Sequence, residues 1–337
     1  MPKRRRTGCW GAIVILLVGA GVAYVAGARA LSPLPSGPNR LIRLDPAGSL
    51  ESVLQRLERE KLVRNAWATH LYARATRKAA PVKTGTYLLH AGMDSDELLA
   101  ALGKPIRQMV RMPETNWARR SANLLEKANV CTAQEYMELF AKPQEFQDVV
   151  SFPLPKKGTL EGYLYPDTYD FPPLLGARGV IVRQLQNFEK KVLEGRDPPK
   201  NLRRALIVGS MVELEVARDA ERPIVAGVIE NRIKLGMPLQ IDASLLYGIQ
   251  KWRELTFADY RNIDSPYNVY RHKGLPPGPI CSPTVKSIRA ALNPANHNYL
   301  YYVALPEGKH LFSATYDEHL RNIGKRKAAL AQIRSAQ

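Results

Sequence analysis

"NLRRALIVGSMVELEVA", residues 201–217, decides how the second half of this chain is read. Apolar residues recur at helical spacing after Asn201, so the pattern predicts a helix with Asn201 as its cap. Two carboxylates, Glu213 and Glu215, stand inside that apolar run, with no cation beside them until Arg218. Carboxylates are rarely buried without a partner. At about 100° per residue, Glu213 falls on the stripe of Leu202, Leu206, Gly209 and Ser210. Glu215 lies some 200° away by the same count, beside Val208, Met211 and Val212. One regular helix cannot turn both into one cleft. Gly209 and Ser210 read as open space one turn before Glu213, whereas Met211 and Val212 would fill the space beside Glu215. Glu213 is therefore the candidate acid. An apolar pocket would raise its pKa, as a general acid near neutral pH requires. The alternative is a solvated Glu on an amphipathic helix.

Outward from this helix, composition sets bounds. The 337 residues suffice for two or three domains. The net charge of +18 suits anionic lipid or acidic polymers. Its Lys and Arg are spread along the whole chain, with no zinc finger, RNP-type motif or P-loop, so nucleic acid is not expected as a partner. Cys9, Cys131 and Cys281 lack metal-type spacing, and the six histidines form no H-E-x-x-H. No metal and no cofactor are expected; only Cys131 and Cys281 are candidates to pair.

The N-terminus bears on the compartment. Lys3, Arg4, Arg5 and Arg6 precede an uncharged run from Trp10 to Ala28. Nineteen residues at about 1.5 Å each roughly span a bilayer core, and the basic cluster predicts a cytoplasmic N-terminus. The expected order is a basic tail at 1–9, a transmembrane helix at 10–30 and a linker at 31–40. The rival is a cleavable signal peptide, since Ala28-Arg29-Ala30 resembles a cleavage site. Either way the body is exported.

Residues 41–150 read as an α+β region with a weak internal repeat. "LDPAGSLESVLQRLEREKLVRNAWATHLYA" (44–73) and "RMPETNWARRSANLLEKANVCTAQEYMELFA" (111–141) each begin strand-like, then give a helix ending in L-E-[RK] and a second short helix. Between them, "VKTGTYLLHAGMDSDELLAALGK" (82–104) predicts a strand, a turn at Gly92 and a helix capped by Asp94 or Ser95. Such units occur in LysM-like carbohydrate-binding modules; a generic α+β spacer is the alternative. Residues 151–337 form a second, mainly helical region. Within it, 265–283, "SPYNVYRHKGLPPGPICSP", read as a long ordered loop of the kind that is usually functional.

An exported protein with a lone buried Glu points to glycoside chemistry. Most glycosidases need two carboxylates, whereas a lytic transglycosylase works with one. Several stretches carry a likeness in order and spacing: "LEGYLYPDTYDFPP" (160–173), "GSMVELEVARDAERPIVAGVIENRIKLGMPLQIDASLLYGI" (209–249), 265–283, "ALNPANHNYLYYV" (291–303) and "HLFSATYDEHL" (310–320). Together they resemble the YceG-like, MltG-type endolytic murein transglycosylases. The resemblance implies cleavage of nascent peptidoglycan glycan strands with 1,6-anhydro-N-acetylmuramic acid ends. It also implies a single-pass protein of the bacterial inner membrane, its catalytic domain periplasmic, working beside peptidoglycan synthases such as penicillin-binding proteins. It places the catalytic glutamate on Glu213, the first Glu of M-V-E-L-E. For substrate binding it indicates Asn231, Arg232, Gln240, Asp242 and Tyr247, then Ser265, Tyr267, Asn268 and Pro276 of the loop, with Ser210 beside the acid. Against this stand a structural Arg232–Asp242 ion pair and a Pro loop that is only scaffold. A water-using muramidase, with Asp242 or Glu221 as second carboxylate, and a non-catalytic peptidoglycan-binding scaffold remain alternatives.

Overall fold

The computed structural model describes residues 8–46 and 48–335. The expected basic cluster at 3–6 lies outside them. The chain divides into two compact units, one up to Gln108 plus Asp170–Leu175, the other from Met109 to Tyr169 and from Gly176 onward. Residues 109–150, grouped with 41–108 on sequence, therefore pack with the second unit instead.

In the first unit, α1 (Gly8–Leu31) is exposed from Ile13 to Arg29 and is long and apolar enough to cross a membrane. A signal sequence meets the same description. After it come β1 (Arg40–Leu44), α2 (Leu50–Arg59), α3 (Ala66–Ala75), β2 (Gly85–Leu89) and α4 (Ser95–Leu102). β1 and β2 pair antiparallel, with Ile42 opposite Tyr87. Period-two alternation turns Ile42, Leu44, Tyr87 and Leu89 onto the core, where Val53, Leu54 and Leu57 of α2 meet them. Asp94 caps α4 in a reciprocal capping box with Glu97.

The second unit continues with β3 (Met109–Arg111), α5 (Ala118–Lys127), α6 (Ala133–Phe140) and β4 (Thr168–Asp170), the two strands pairing. The two stretches compared in the sequence end their first helices in the same way. Lys61 and Asn129 both adopt positive φ. Leu62 N then donates to Leu57 O at 2.8 Å, and Val130 N to Leu125 O at 3.0 Å. The left-handed residue lets a backbone N–H fold back onto the last turn while its apolar side chain seals the helix end.

The rest of the unit is α7 (Ala177–Phe188), α8 (Leu202–Glu215), α9 (Arg222–Lys234), α10 (Asp242–Ile249), α11 (Phe257–Asn262) and α12 (Val285–Leu292). A hairpin of β5 (Tyr301–Ala304) and β6 (His310–Ser313) and the long α13 (Tyr316–Ser335) close the chain. α8 is the predicted helix, and Asn201 stands at its cap position, but its side chain makes no capping hydrogen bond. The helix is buried nearly all round, from Ala205 to Glu213. Gly209 does not open a space for substrate. A Cβ there would lie 3.3 Å from the Ser287 backbone, so the glycine lets α12 approach closely. Cys131 and Cys281 are both free.

Candidate functional site

α8 presents its two carboxylates to different surroundings, and neither is the one read from the sequence. Glu213 is 6% exposed. Its Oε1 lies 3.1 Å from Arg222 Nη1 of α9. Its Oε2 accepts from both the backbone N and the Oγ1 of Thr284, each at 2.8 Å. Arg222 also donates from Nε to Asp219 Oδ1 at 3.0 Å and from Nη1 to Ser287 Oγ. The expected apolar pocket around Glu213 is thus a closed polar network joining α8, α9 and the approach to α12. A buried carboxylate with a charged partner and two further donors satisfies its lone pairs and is costly to break.

Glu215 stands on the other face, at the last position of α8. It lines a cleft of about 530 Å³, within the usual range for small-ligand sites of about 300–1,000 Å³. Tyr302 of β5 donates its hydroxyl to Glu215 Oε2 at 3.0 Å. Burial pushes the Glu215 carboxyl up to about 7; the Tyr302 hydrogen bond opposes this and the charge of Asp242 adds to it. The C-terminal end of a helix carries the negative pole of the macrodipole, which works in the same direction. Here the last turn has no basic residue to offset it. The result is a carboxyl group that holds a proton near neutral pH beside open space, the property a general acid needs.

Asp242, at the start of α10, and Gln240 before it are exposed in the same cleft. Tyr270 donates its hydroxyl to Asp242 Oδ1. Burial, then the neighbouring Asp242, raises Tyr270 far above the usual phenol value, so it remains a donor. Arg232 also lines the cleft, but its hydrogen bonds go to the carbonyls of Leu300 (2.7 Å), Leu239 (2.7 Å) and Pro238 (3.2 Å) and to Gln240 Oε1 (3.2 Å). The anticipated Arg232–Asp242 ion pair does not form among the described residues.

The other sequence candidates are drawn into scaffolding. Ser210 is fully buried; its Oγ donates to Ile207 O at 2.8 Å and accepts from Ile280 N at 3.0 Å, so it clamps the Pro-rich loop. Asn231 donates to the carbonyls of His297 and Tyr299 at 2.8 and 3.1 Å. Asn268, fully buried, fixes the loop through Tyr260 O and Ile263 O at 3.2 and 2.9 Å. Ser265 Oγ accepts from Tyr267 N at 3.2 Å, and Pro276 is buried. Tyr247 packs on Tyr267 with ring centroids 4.8 Å apart and donates to Glu161 Oε2 at 3.2 Å. Burial pushes that second carboxyl, Glu161, up to about 7. Glu221 is taken up by His310, whose Nδ1 lies 2.6 Å from Glu221 Oε2.

The polar cleft residues that sequence reasoning missed are Tyr270, Tyr302, His310, His319 and Arg326. Tyr270 and Tyr302 sit inside stretches already singled out, S-P-Y-N-V-Y and N-Y-L-Y-Y. His319 sits in a third such stretch, H-L-F-S-A-T-Y-D-E-H-L, whereas Arg326 lies beyond every stretch singled out.

Comparison with known proteins places this arrangement in context. The profile of the YceG-like family matches residues 42–325. An endolytic murein transglycosylase of Bacillus subtilis is 28% identical over 319 residues, covering 89% of this chain and 88% of that one. One of Streptococcus pneumoniae is 28% identical over 352 residues, covering 93% of this chain but 63% of its own length. A crystal structure of a YceG-like protein from Listeria monocytogenes shares the fold with a TM-score of 0.57 at 27% identity, covering 84% of this chain and 99% of that chain.

Proposed function

We propose, from the premise that this chain belongs to the YceG-like family, that it is an endolytic murein transglycosylase whose working acid is Glu215. The single observation carrying the assignment of the acid is that Glu215, not Glu213, lines the cleft while holding its proton up to about 7. The substrate class comes from the relatives, which are named endolytic murein transglycosylases.

In this reading Glu215 gives its proton to the glycosidic oxygen between N-acetylmuramic acid and N-acetylglucosamine, and the C1–oxygen bond breaks. The carboxylate left behind takes the proton of the C6 hydroxyl of the same muramic residue. That oxygen closes on C1 as a 1,6-anhydro ring, so the acid is restored and no water is consumed. Tyr302 orients the carboxyl through its hydrogen bond. Asp242 keeps the acid protonated before the reaction and stabilises positive charge developing at C1. Gln240 and the Tyr270 hydroxyl suit sugar hydroxyl and acetamido groups.

α1 serves as a single membrane anchor, and the basic cluster before it favours a cytoplasmic N-terminus with the cleft outside. The strand–helix–helix–strand order of residues 40–89 supports a LysM-like, glycan-holding role for that unit. A protein so placed trims nascent strands beside the synthases that extend them.

The test is mass spectrometry of un-crosslinked glycan strands after incubation with the full chain in detergent. Anhydro ends are expected from the native chain and none from Glu215→Gln. One observation favours a second reading: Asp242 and Glu215 share the cleft, so a water-using muramidase has its two carboxylates. Reducing ends without anhydro product would select that reading.

A further inference from the structure

Among the described residues, the groups of α13 that line the cleft have no work in the reaction as written. Arg326 lines it, is exposed, and makes no ion pair or hydrogen bond. His319, seven residues earlier, lines it as well. Seven residues are two turns, so both fall on one face of α13, about 10 Å apart along its axis. Asn322, on the same stripe, is buried and fixes that face inward. His319 Nδ1 is buried with no hydrogen-bond partner, although burying a polar atom unpaired is costly. Its ring stacks on Tyr301, with centroids 5.2 Å apart. The other side of the story is Arg232, whose guanidinium lies 5.3 Å from the Tyr301 ring centroid and bonds only neutral oxygens. α8 and α10 thus supply the cleft's carboxylates, while α13 and Arg232 supply cations that, among the described residues, no carboxylate pairs with.

Resting on the peptidoglycan reading above, we propose that Arg326 and His319 form a carboxylate-binding subsite that selects glycan whose muramic side branch carries a free carboxylate. A neutral sugar has hydroxyl and acetamido groups only and gives an unpaired guanidinium nothing to neutralise. The muramic residue adds a lactyl ether and its attached peptide, the parts of such a strand that carry carboxylates. Arg326 gives the charge and a forked donor; His319 lines the wall two turns before it.

The experiment measures binding by titration calorimetry on the full chain in detergent carrying Glu215→Gln, so that probes persist. Four probes are compared: a disaccharide-peptide with free carboxylates, the same with its carboxylates converted to methylamides, the peptide-free disaccharide with a free lactyl carboxylate, and a chitin oligomer. The free-carboxylate probe is expected to bind about tenfold more tightly than the methylamide, a difference of about 1.4 kcal/mol. Arg326→Ala removes that difference without weakening the methylamide; Arg326→Lys keeps part of it. Whether the peptide-free probe binds like the first or like the second tells the lactyl from the peptide source. Equal affinity for free and methylamide probes, or an unchanged preference in Arg326→Ala, overturns the subsite. Arg326 is exposed, so the variant tests binding and not folding. If the native chain discriminates between the probes yet cuts no strand, the subsite stands and the transglycosylase reading falls.

Discussion

The two faces of α8 carry the same side chain in opposite circumstances. On one face Glu213 is closed in by Arg222 and Thr284; on the other Glu215 has one hydrogen bond, from Tyr302, and an open cleft before it. The lesson is that burial alone does not make a carboxylate a working acid. A fully partnered group has nothing left to give, whereas an under-partnered one beside space keeps a proton it can transfer.

The largest test of this contrast is catalytic. Glu215→Gln should lower cleavage about a thousandfold, the middle of the range for losing a general acid, while its melting temperature at pH 7 holds or rises. An active Glu215→Gln, or equal losses from a well-folded Glu213→Gln, would break the contrast. Next comes stability. Glu213→Gln leaves Arg222 without its buried partner and should cost about 3 kcal/mol in denaturant unfolding. Pairing it with Arg222→Met should recover most of that, because removing both charges avoids the uncompensated one.

A third measurement uses pH. In the fold, Glu215 and Glu161 hold their protons up to about 7, against 4.5 for an ordinary Glu. Between these values the folded chain binds more protons than the unfolded one, so stability falls as pH rises from about 4.5 to about 7. Each group contributes at most about 3 kcal/mol to that decline. Glu215→Gln should flatten part of the slope and Glu161→Gln another part. The smallest effects sharpen the cleft side alone. Tyr302→Phe removes a bond that lowers the Glu215 pKa and should move the alkaline limb of activity to higher pH. Asp242→Asn removes a charge that raises it and should move the limb to lower pH. Shifts in the same direction would mean that Glu215 is not the group titrating.

Much of this architecture was legible in the sequence. Apolar periodicity located α8, the uncharged run located α1, and the Asp94 signal located the capped start of α4. The 200° separation of the two glutamates also held, since they do face different surroundings. The acid proposed above is the other of the two, and local sequence could not point to it. α8 is buried on nearly every side, so no polar stripe marks the outward face. Gly209 read as room for a ligand, but room in a sequence is equally room for another helix, and α12 takes it. Arg222 lies nine positions beyond Glu213 and Thr284 much further along, and nothing local announces either contact. Ser210, Asn231 and Asn268 carry ligand-like chemistry, yet the backbone groups of long loops compete for the same amides and hydroxyls and win. The region boundary was hidden for a similar reason: the strand and two helices at 109–140 resemble the first copy in order but cluster with the second unit.

The spacing of the two glutamates has a mechanical consequence. Where a helix ends at a cleft, even a small twist about its axis would swing its last side chain through an arc. Among the described residues Glu215 accepts one hydrogen bond, from Tyr302, which orients the carboxyl but does not fix the helix turn that carries it. Two residues back, Glu213 is pinned from α9 and from the start of α12 at three points. That brace acts like a key in a shaft. It fixes the rotation of the final turn, so the bearing of the proposed acid is set from behind, by a carboxylate that does not line the cleft.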